Sequence, residues 1–208
     1  NGFKFQQKLT LLNEITIELS RIDSFDELCY HVVKFGSERF GFDRLGLWLV
    51  DAEQGMMKGT YGIDENGGIR AEHERRWSYA RTHVAGFVAG KTESALVFDH
   101  SPLYNEKSEI VQNGWQITVP IMSSHRCIAI LAADNLLHSQ PLKNYEPELL
   151  RLYGITVAHL MELSQSREQT LALRVEHERT QMLREFISNI GHDIRTPLTG
   201  ILALSDLL

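Results

Sequence analysis

The chain has few cysteines, no long apolar run and no cluster of basic residues. Its two cysteines, Cys29 and Cys127, lie about a hundred residues apart without a CxxC or metal-ligand spacing. This excludes a disulfide framework and favours buried free thiols in a reducing compartment. The longest apolar stretches, such as Ile128 to Ala133, are far below the roughly 20 residues that span a bilayer, and no secretory signal is present. We therefore expect a cytoplasmic segment without membrane contact.

Charge and spacing exclude further classes of site. Lys and Arg total 21 against 27 Asp and Glu, which gives a net charge of -6 and no electrostatic reason to expect nucleic acid as a partner. None of the nine histidines forms a ligand cluster with either cysteine, so we expect no metal site. The segment 85–92, AGFVAGKT, matches a relaxed phosphate-loop pattern. Neither a buried strand before it nor a helix after it is predicted, so we expect no nucleotide there.

The sequence does contain clear changes of hydrophobic period. Helical spacing predicts helices over about 5–22, from a capping box at Ser24 and Glu27 toward Gly41, over 71–89, and from Tyr145 onward. Apolar runs separated by turn residues predict strands at 44–50, 56–63, 95–98, 115–122 and 127–133. The last two strands are expected to form a hairpin through residues 123–126. This order predicts an α+β fold with a central antiparallel sheet and flanking helices.

Four aromatic residues of the predicted strands are candidates for a ligand pocket on the sheet: Trp48, Tyr61, Phe98 and Trp115. Aromatic residues on strands more often fill the core, so core packing is the competing interpretation. Cys29 and Cys127 are likewise expected to pack in the core, because the first lies in an amphipathic helix and the second opens a strand.

Beyond residue 163 the sequence is charged and lacks turn residues up to about 185. From Leu183 to Leu208, apolar or tolerant residues recur at alternating intervals of four and three, which is a heptad seam. A helix over 163–208 would be about 70 Å long at ~1.5 Å per residue and would not be stable alone. We therefore expect a parallel dimeric coiled coil. Because the sequence starts without Met and ends in mid-heptad, we also expect it to be part of a longer protein.

The stretch 186–198, FISNIGHDIRTPL, carries the most informative residues. The imidazole of His192 has an ordinary pKa near 6.5 and is a competent nucleophile at cellular pH. With Ile190 at heptad position d, His192 falls at f and points away from the seam. Thr196 lies on the same helical face, and Pro197 removes the bond to the carbonyl of Asp193 and bends the helix. A lone helical histidine is more often a solvated surface residue, but the surrounding motif favours a function.

This motif resembles the H-box of sensor histidine kinases, in which His is followed by an acidic, an apolar and a basic residue, then Thr or Ser, and Pro. Every position of the pattern is filled from His192 to Pro197. The resemblance implies that His192 accepts the γ-phosphate of ATP through Nε2, while Asp193 orients and activates its ring. It also implies that Thr196 positions a water in members with phosphatase activity, and that Pro197 marks a helix bend.

The region before it resembles a GAF domain. The residues that carry this resemblance are the strand pair containing LGLWLV and GTYGID, the block VPIMSSHRCIAILAADN and the helix EPELLRLYGITVAHL. The resemblance implies a small-molecule sensing or dimerisation module of unknown ligand. We therefore expect three regions: a GAF-like sensor domain at 1–163, a coiled-coil signalling linker at 164–185, and the first half of the phosphoacceptor helix at 186–208.

Together, the two resemblances imply the sensor region and phosphoacceptor helix of a two-component sensor histidine kinase that acts as a homodimer with a cognate response regulator. We expect no cofactor in this segment, because ATP and Mg would be bound by a catalytic domain that the sequence does not contain. The alternative is a non-catalytic, ligand-responsive GAF scaffold in which the H-box is only structural. Phosphotransfer to a response-regulator aspartate would distinguish the two.

Overall fold

A computed structural model describes the backbone of residues 2–205 and the side chains of residues 4–187. The chain divides into two compact units, with the division between Ser164 and Gln165. The first unit contains a sheet and the helices around it, and the second is helical. The sequence-based boundary between the sensor domain and the linker, after residue 163, lies next to this division.

The helical elements of the described residues are α1 (Gly2–Leu19), α2 (Phe25–Phe35), a π-helical turn (Gly36–Phe40), α3 (Val84–Val88) and α4 (Glu146–Ser205). The capping residue predicted for α2 is present, because the hydroxyl of Ser24 accepts a hydrogen bond from the backbone N–H of Glu27 at 3.4 Å. The π-helical turn ends at Gly41, whose φ of +79° is the left-handed conformation that glycine adopts without strain.

The strands are β1 (Arg44–Asp51), β2 (Met56–Ile63), β3 (Ile69–Ala71), β4 (Arg76–Ser78), β5 (Leu96–Tyr104), β6 (Ile110–Ser123) and β7 (Arg126–Asp134). They form one antiparallel sheet in the order β3-β2-β1-β7-β6-β5, with β4 also paired to β2. The α+β fold with a central antiparallel sheet and flanking helices is therefore confirmed.

The predicted hairpin between β6 and β7 has a two-residue turn. Ser124 and His125 both have positive φ, 46° and 65°, as a type I′ turn requires, and the twist of that turn matches the twist of the two strands. Pro102 lies in β5 at the edge of the sheet. An edge strand tolerates proline because its outward N–H groups have no ladder partner.

The main core lies between the helices and one face of the sheet. Tyr153 of α4 is fully buried there, and its hydroxyl donates to the backbone carbonyl of Val32 at 2.8 Å. Burial raises the pKa of this phenol far above its usual value. A smaller cluster covers part of the opposite face and contains Met57, Tyr79, Val84, Phe87, Cys127 and Ile130.

The helix predicted over 71–89 is wrong. This stretch contains the end of β3, the whole of β4 and the five-residue helix α3. Trp77, Ala80 and Val84 have helical spacing, but Trp77 lies in a strand that pairs with β2. The outer edge of β2 provides hydrogen-bond partners that a local pattern does not reveal, and pairing overrides the weak helical period. The strand predicted at 95–98 is also longer, since β5 continues to Tyr104.

None of the helices in the described part of the chain combines the length and the hydrophobicity that a membrane crossing requires.

Candidate ligand cavity and phosphoacceptor helix

A cavity of about 240 Å³ lies on the face of the sheet opposite the main core. Its position follows from the alternation of side chains along each strand. In β1, Leu45 and Leu47 point into the core, whereas Gly46 and Trp48 point toward the cavity. The other strands contribute residues with the same parity: Gln116 and Thr118 from β6, and Ile130, Ala132 and Asp134 from β7.

An arginine–aspartate pair forms one end of the cavity. Arg44 Nε lies 2.9 and 3.0 Å from the two carboxylate oxygens of Asp134, and Nη2 lies 2.6 Å from Oδ2. Arg44 Nη1 also donates to the backbone carbonyl of Tyr104 at 2.8 Å. Burial raises the pKa of Asp134 and outweighs the opposite effect of Arg44. The pair joins the start of β1 to the end of β7, where the two residues are register partners.

A second charged group lies on β3 and the loop between β3 and β4. Arg70 Nη2 donates to the buried carboxylate of Glu72 at 2.9 Å. Arg75 Nη2 donates to the backbone carbonyl of Glu106 at 2.6 Å, and its Nη1 lies 3.6 Å from Glu72. Gly59 permits this arrangement, because a Cβ there would lie 2.6 Å from the carbonyl oxygen of Glu72. The close passage of the loop over β2 therefore fixes Glu72 at the wall.

His83, directly before α3, lies at the opposite side of the cavity. Its Nε2 is 3.0 Å from the hydroxyl of buried Thr118, and its ring centroid is 4.8 Å from that of Phe98. Burial lowers the pKa of His83, so the ring is neutral at physiological pH. The cavity thus contains a neutral imidazole beside its paired charges.

The structure divides the four aromatic residues predicted to line a pocket. Trp48 lines the cavity, and Phe98 lies beside His83 without being part of the wall. Tyr61 and Trp115 point to the other face, because side chains one position apart in a strand alternate. Tyr61 donates to Asp26 at 2.6 Å, which raises its pKa to about 12, and the buried indole of Trp115 donates to the carbonyl of Gln140 at 2.8 Å.

The charged residues of the cavity were not predicted from the sequence: Arg44, Arg70, Glu72, Arg75 and Asp134. A signal was present, since Arg44 and Asp134 lie at the ends of strongly apolar strands. Ion-pair partners 90 residues apart become recognisable only when the strand register is known.

Both cysteines are buried free thiols, in agreement with the prediction. Burial raises the pKa of Cys29 to about 12 and that of Cys127 to about 11, which disfavours the reactive thiolate. The phosphate-loop-like segment holds α3, a five-residue helix, followed by β5. No group of three or more metal-ligating side chains occurs among the residues whose side chains are described.

The phosphoacceptor motif lies within the backbone range of α4. The side chains of His192, Asp193, Thr196 and Pro197 lie outside the described residues. The backbone is helical through all four positions, which agrees with the helical placement that the sequence predicts for the motif.

Two family models match the chain. The model described as "GAF domain" matches residues 24–161, well over half of the chain, and the chain therefore belongs to the GAF domain family. The model described as "His Kinase A (phospho-acceptor) domain" matches residues 182–208, which include His192. The chain thus contains a GAF domain and, after it, a segment that matches the phosphoacceptor-domain model. No curated protein matches the chain.

Solved structures support the fold. The GAF domain of a phosphoenolpyruvate-protein phosphotransferase from Coxiella burnetii is 15% identical, with a TM-score of 0.64 over 79% of this chain and 98% of that one. The free methionine-R-sulfoxide reductase of Neisseria meningitidis is 17% identical, with a TM-score of 0.58 over 78% and 93%. A bacteriophytochrome from R. palustris is 10% identical, with a TM-score of 0.61 over 85% and 41%. At these identities the likeness concerns the fold alone.

Proposed function

We propose that this chain is the sensor region and phosphoacceptor helix of a cytoplasmic two-component sensor histidine kinase. The observation that carries the proposal is the phosphoacceptor-domain match at 182–208 in the same helix, α4, whose first turns pack in the GAF core through Leu149 and Tyr153. His192 then accepts phosphate from ATP and passes it to an aspartate of a response regulator.

The chemistry follows from the residue types of the motif. The Nε2 atom of His192 attacks the γ-phosphorus of ATP, the bond from that phosphorus to the bridging oxygen breaks, and ADP leaves with the electron pair. The carboxylate of Asp193 accepts a hydrogen bond from Nδ1–H of His192. This keeps the proton on Nδ1, so the electron pair of Nε2 stays available. Thr196 positions a water when the regulator is dephosphorylated, and Pro197 provides the bend. A catalytic domain supplies ATP and Mg.

Exposed apolar side chains on α4 support a homodimer. Leu173, Leu183 and Ile187 are exposed and lie on one heptad seam together with the positions of Ile190 and Ile194. Packing two such seams together removes apolar surface from water. We propose a parallel coiled coil, which is the pairing that places equivalent residues of the two copies side by side.

In this arrangement the GAF cavity binds a small-molecule signal. Its mixture of aromatic walls and inward-facing polar groups is typical of a ligand site. Ligand binding changes the packing of the dimer along α4 and thereby the access of the catalytic domain to His192.

The test is phosphorylation of this chain by an active histidine kinase catalytic domain supplied in trans with ATP and Mg. We expect acid-labile, alkali-stable phosphate on the wild-type chain, loss of this phosphate in His192→Gln, and transfer to a response-regulator receiver domain. The matched control is His177→Gln, because His177 is an exposed histidine on the same helix and should leave the phosphate unchanged. Equal labelling of the His192→Gln variant would refute the assignment.

The alternative, a non-catalytic GAF dimer scaffold, predicts a different result. The wild-type chain would then dimerise and respond to ligand, but it would take up no phosphate from any catalytic domain that phosphorylates a known phosphoacceptor domain in the same assay.

A further inference from the structure

The charged residues that line the cavity are all in ion pairs. Each of its three arginines contacts a carboxylate: Arg44 with Asp134, Arg70 with Glu72, and Arg75 near Glu72. Two further carboxylates that do not line the cavity, those of Glu65 and Glu106, approach Arg70 at 3.5 and 3.4 Å. The charge of each arginine is therefore already paired, although the buried Nε–H of Arg70 has no hydrogen-bond partner among the described residues. Burying another charge beside them would be costly.

Polar groups with unused hydrogen-bonding capacity also face the cavity. The indole N–H of Trp48 and the side-chain NH₂ of Gln116 donate to no atom within the described part of the chain, and both residues line the cavity. The oxygen of Gln116 already accepts from Ser101 at 3.1 Å. His83 uses Nε2 toward Thr118, which leaves Nδ1 available. The free N–H groups of Trp48 and Gln116 predict that the ligand carries a hydrogen-bond acceptor.

Shape and size restrict the ligand further. Trp48 and Trp77 form aromatic walls, with ring centroids 6.4 Å apart and planes at 74°. Gly46 and Gly62, which are register partners, leave room for two of the lining side chains, because a Cβ at Gly46 would lie 3.2 Å from Nε1 of Trp48 and one at Gly62 would lie 3.4 Å from the carboxylate of Glu72. A volume of about 240 Å³ equals that of about eight waters at ~30 Å³ each. This accommodates a molecule of one or two fused rings.

We propose that the cavity binds a small, uncharged, planar aromatic molecule bearing a hydrogen-bond-accepting oxygen, with its ring against Trp48 and Trp77 and the oxygen within reach of the Trp48 and Gln116 donors. The inference rests on the proposed sensory role of the cavity. It differs from that role in naming the ligand class, and its test is independent of phosphotransfer.

The experiment is isothermal titration calorimetry of the whole chain with three matched probes: neutral 4-hydroxybenzamide, anionic 4-hydroxybenzoate and cationic 4-hydroxybenzylamine. We expect saturable binding of the amide, and affinities for the two charged probes that are lower by about tenfold or more, because a buried charge would lack compensation. Stronger binding of the benzoate or the benzylamine would overturn the proposal. Absence of saturable binding by the amide would also overturn it.

Variants locate the bound molecule. Trp48→Phe keeps a ring but removes the N–H, and should weaken amide binding about fivefold, as expected for one lost hydrogen bond. Gln116→Glu replaces a donor with a carboxylate of similar shape and provides a second test if the first variant is unstable. The control is Tyr30→Phe, since Tyr30 lies against Tyr61, on the side away from the cavity. Unchanged affinity in both cavity variants, with a retained far-ultraviolet dichroism spectrum, would refute this placement.

A failed titration would leave phosphorylation of His192 unaffected, and a failed phosphorylation assay would leave the binding result standing. The two proposals can therefore be rejected separately.

Discussion

Replacing Arg44 with methionine should destabilise the GAF domain strongly. Methionine keeps an unbranched apolar stem but removes three contacts to Asp134, at 2.6 to 3.0 Å, and the hydrogen bond to the carbonyl of Tyr104. Breaking a buried ion pair by removing one partner costs about 3–5 kcal/mol. The side chains of Arg44 and Asp134 are 16% and 12% exposed, which places the expected loss at about 3 kcal/mol near neutral pH.

The loss in free energy of unfolding should become smaller as the pH falls. Burial already raises the pKa of Asp134 while Arg44 opposes that rise. Without Arg44 the folded-state pKa rises further above that of the unfolded chain. The folded variant then binds a proton that the unfolded chain does not. Lowering the pH from about 7.5 to 5 should therefore reduce the difference in free energy of unfolding between the variant and the wild type.

The assay is urea unfolding followed by far-ultraviolet circular dichroism at both pH values, with free energies obtained by linear extrapolation. The control is the double variant Arg44→Met, Asp134→Leu, which leaves no unpaired charge and should recover more than half of the lost free energy. A loss below about 1 kcal/mol, within the range of an exposed ion pair, would refute the reasoning. A loss that stays the same at both pH values would refute it as well.

Two further predictions concern buried groups of the core. Tyr153→Phe removes the hydroxyl that donates to Val32 and should lower the free energy of unfolding by about 1 kcal/mol. Tyr145→Phe, whose hydroxyl makes no hydrogen bond within the described residues, should have little effect, and equal losses in the two variants would contradict the assignment. Burial raises the pKa of Cys29 to about 12 and that of Cys127 to about 11, so less than about one thiol in a hundred is ionised at pH 8. Both thiols should react with a disulfide reagent only after denaturant is added, and rapid reaction of either one in the native protein would contradict their burial.

The sequence was sufficient to predict an element where its local hydrophobic pattern and its tertiary contacts agree. β2 has the predicted bounds, and β1 differs from its predicted range by one residue. The predicted capping contact of α2 is also present. These signals are short-range: a change of hydrophobic period, a turn between two runs, and a serine three residues before a glutamate.

The cavity could not be predicted in the same way, because it depends on pairing between distant strands. Trp48 and Trp115 are both aromatic strand residues, yet they lie on opposite faces. Which face each one occupies follows from the alternation of side chains along its strand, and only the assembled sheet shows which of the two faces the helices cover. Arg70, in β3, and Arg75, in the loop after β3, reach the wall of the cavity only because this part of the chain returns to β2, and no local period indicates that return.

The outer edge of β2 is covered along its whole length. β3 pairs with residues 61–63 and β4 with residues 56–58. Between them, Gly59 donates to the carbonyl of Arg75 and Glu72 donates to that of Thr60. Among the described strands, β5 therefore provides the only long open edge, whereas the opposite side ends in three-residue segments. Strand-to-strand stacking into a fibre needs two such edges in each molecule. If two molecules paired through their β5 strands, neither would have a second long edge left for a third molecule. Growth by this route would therefore stop at two molecules.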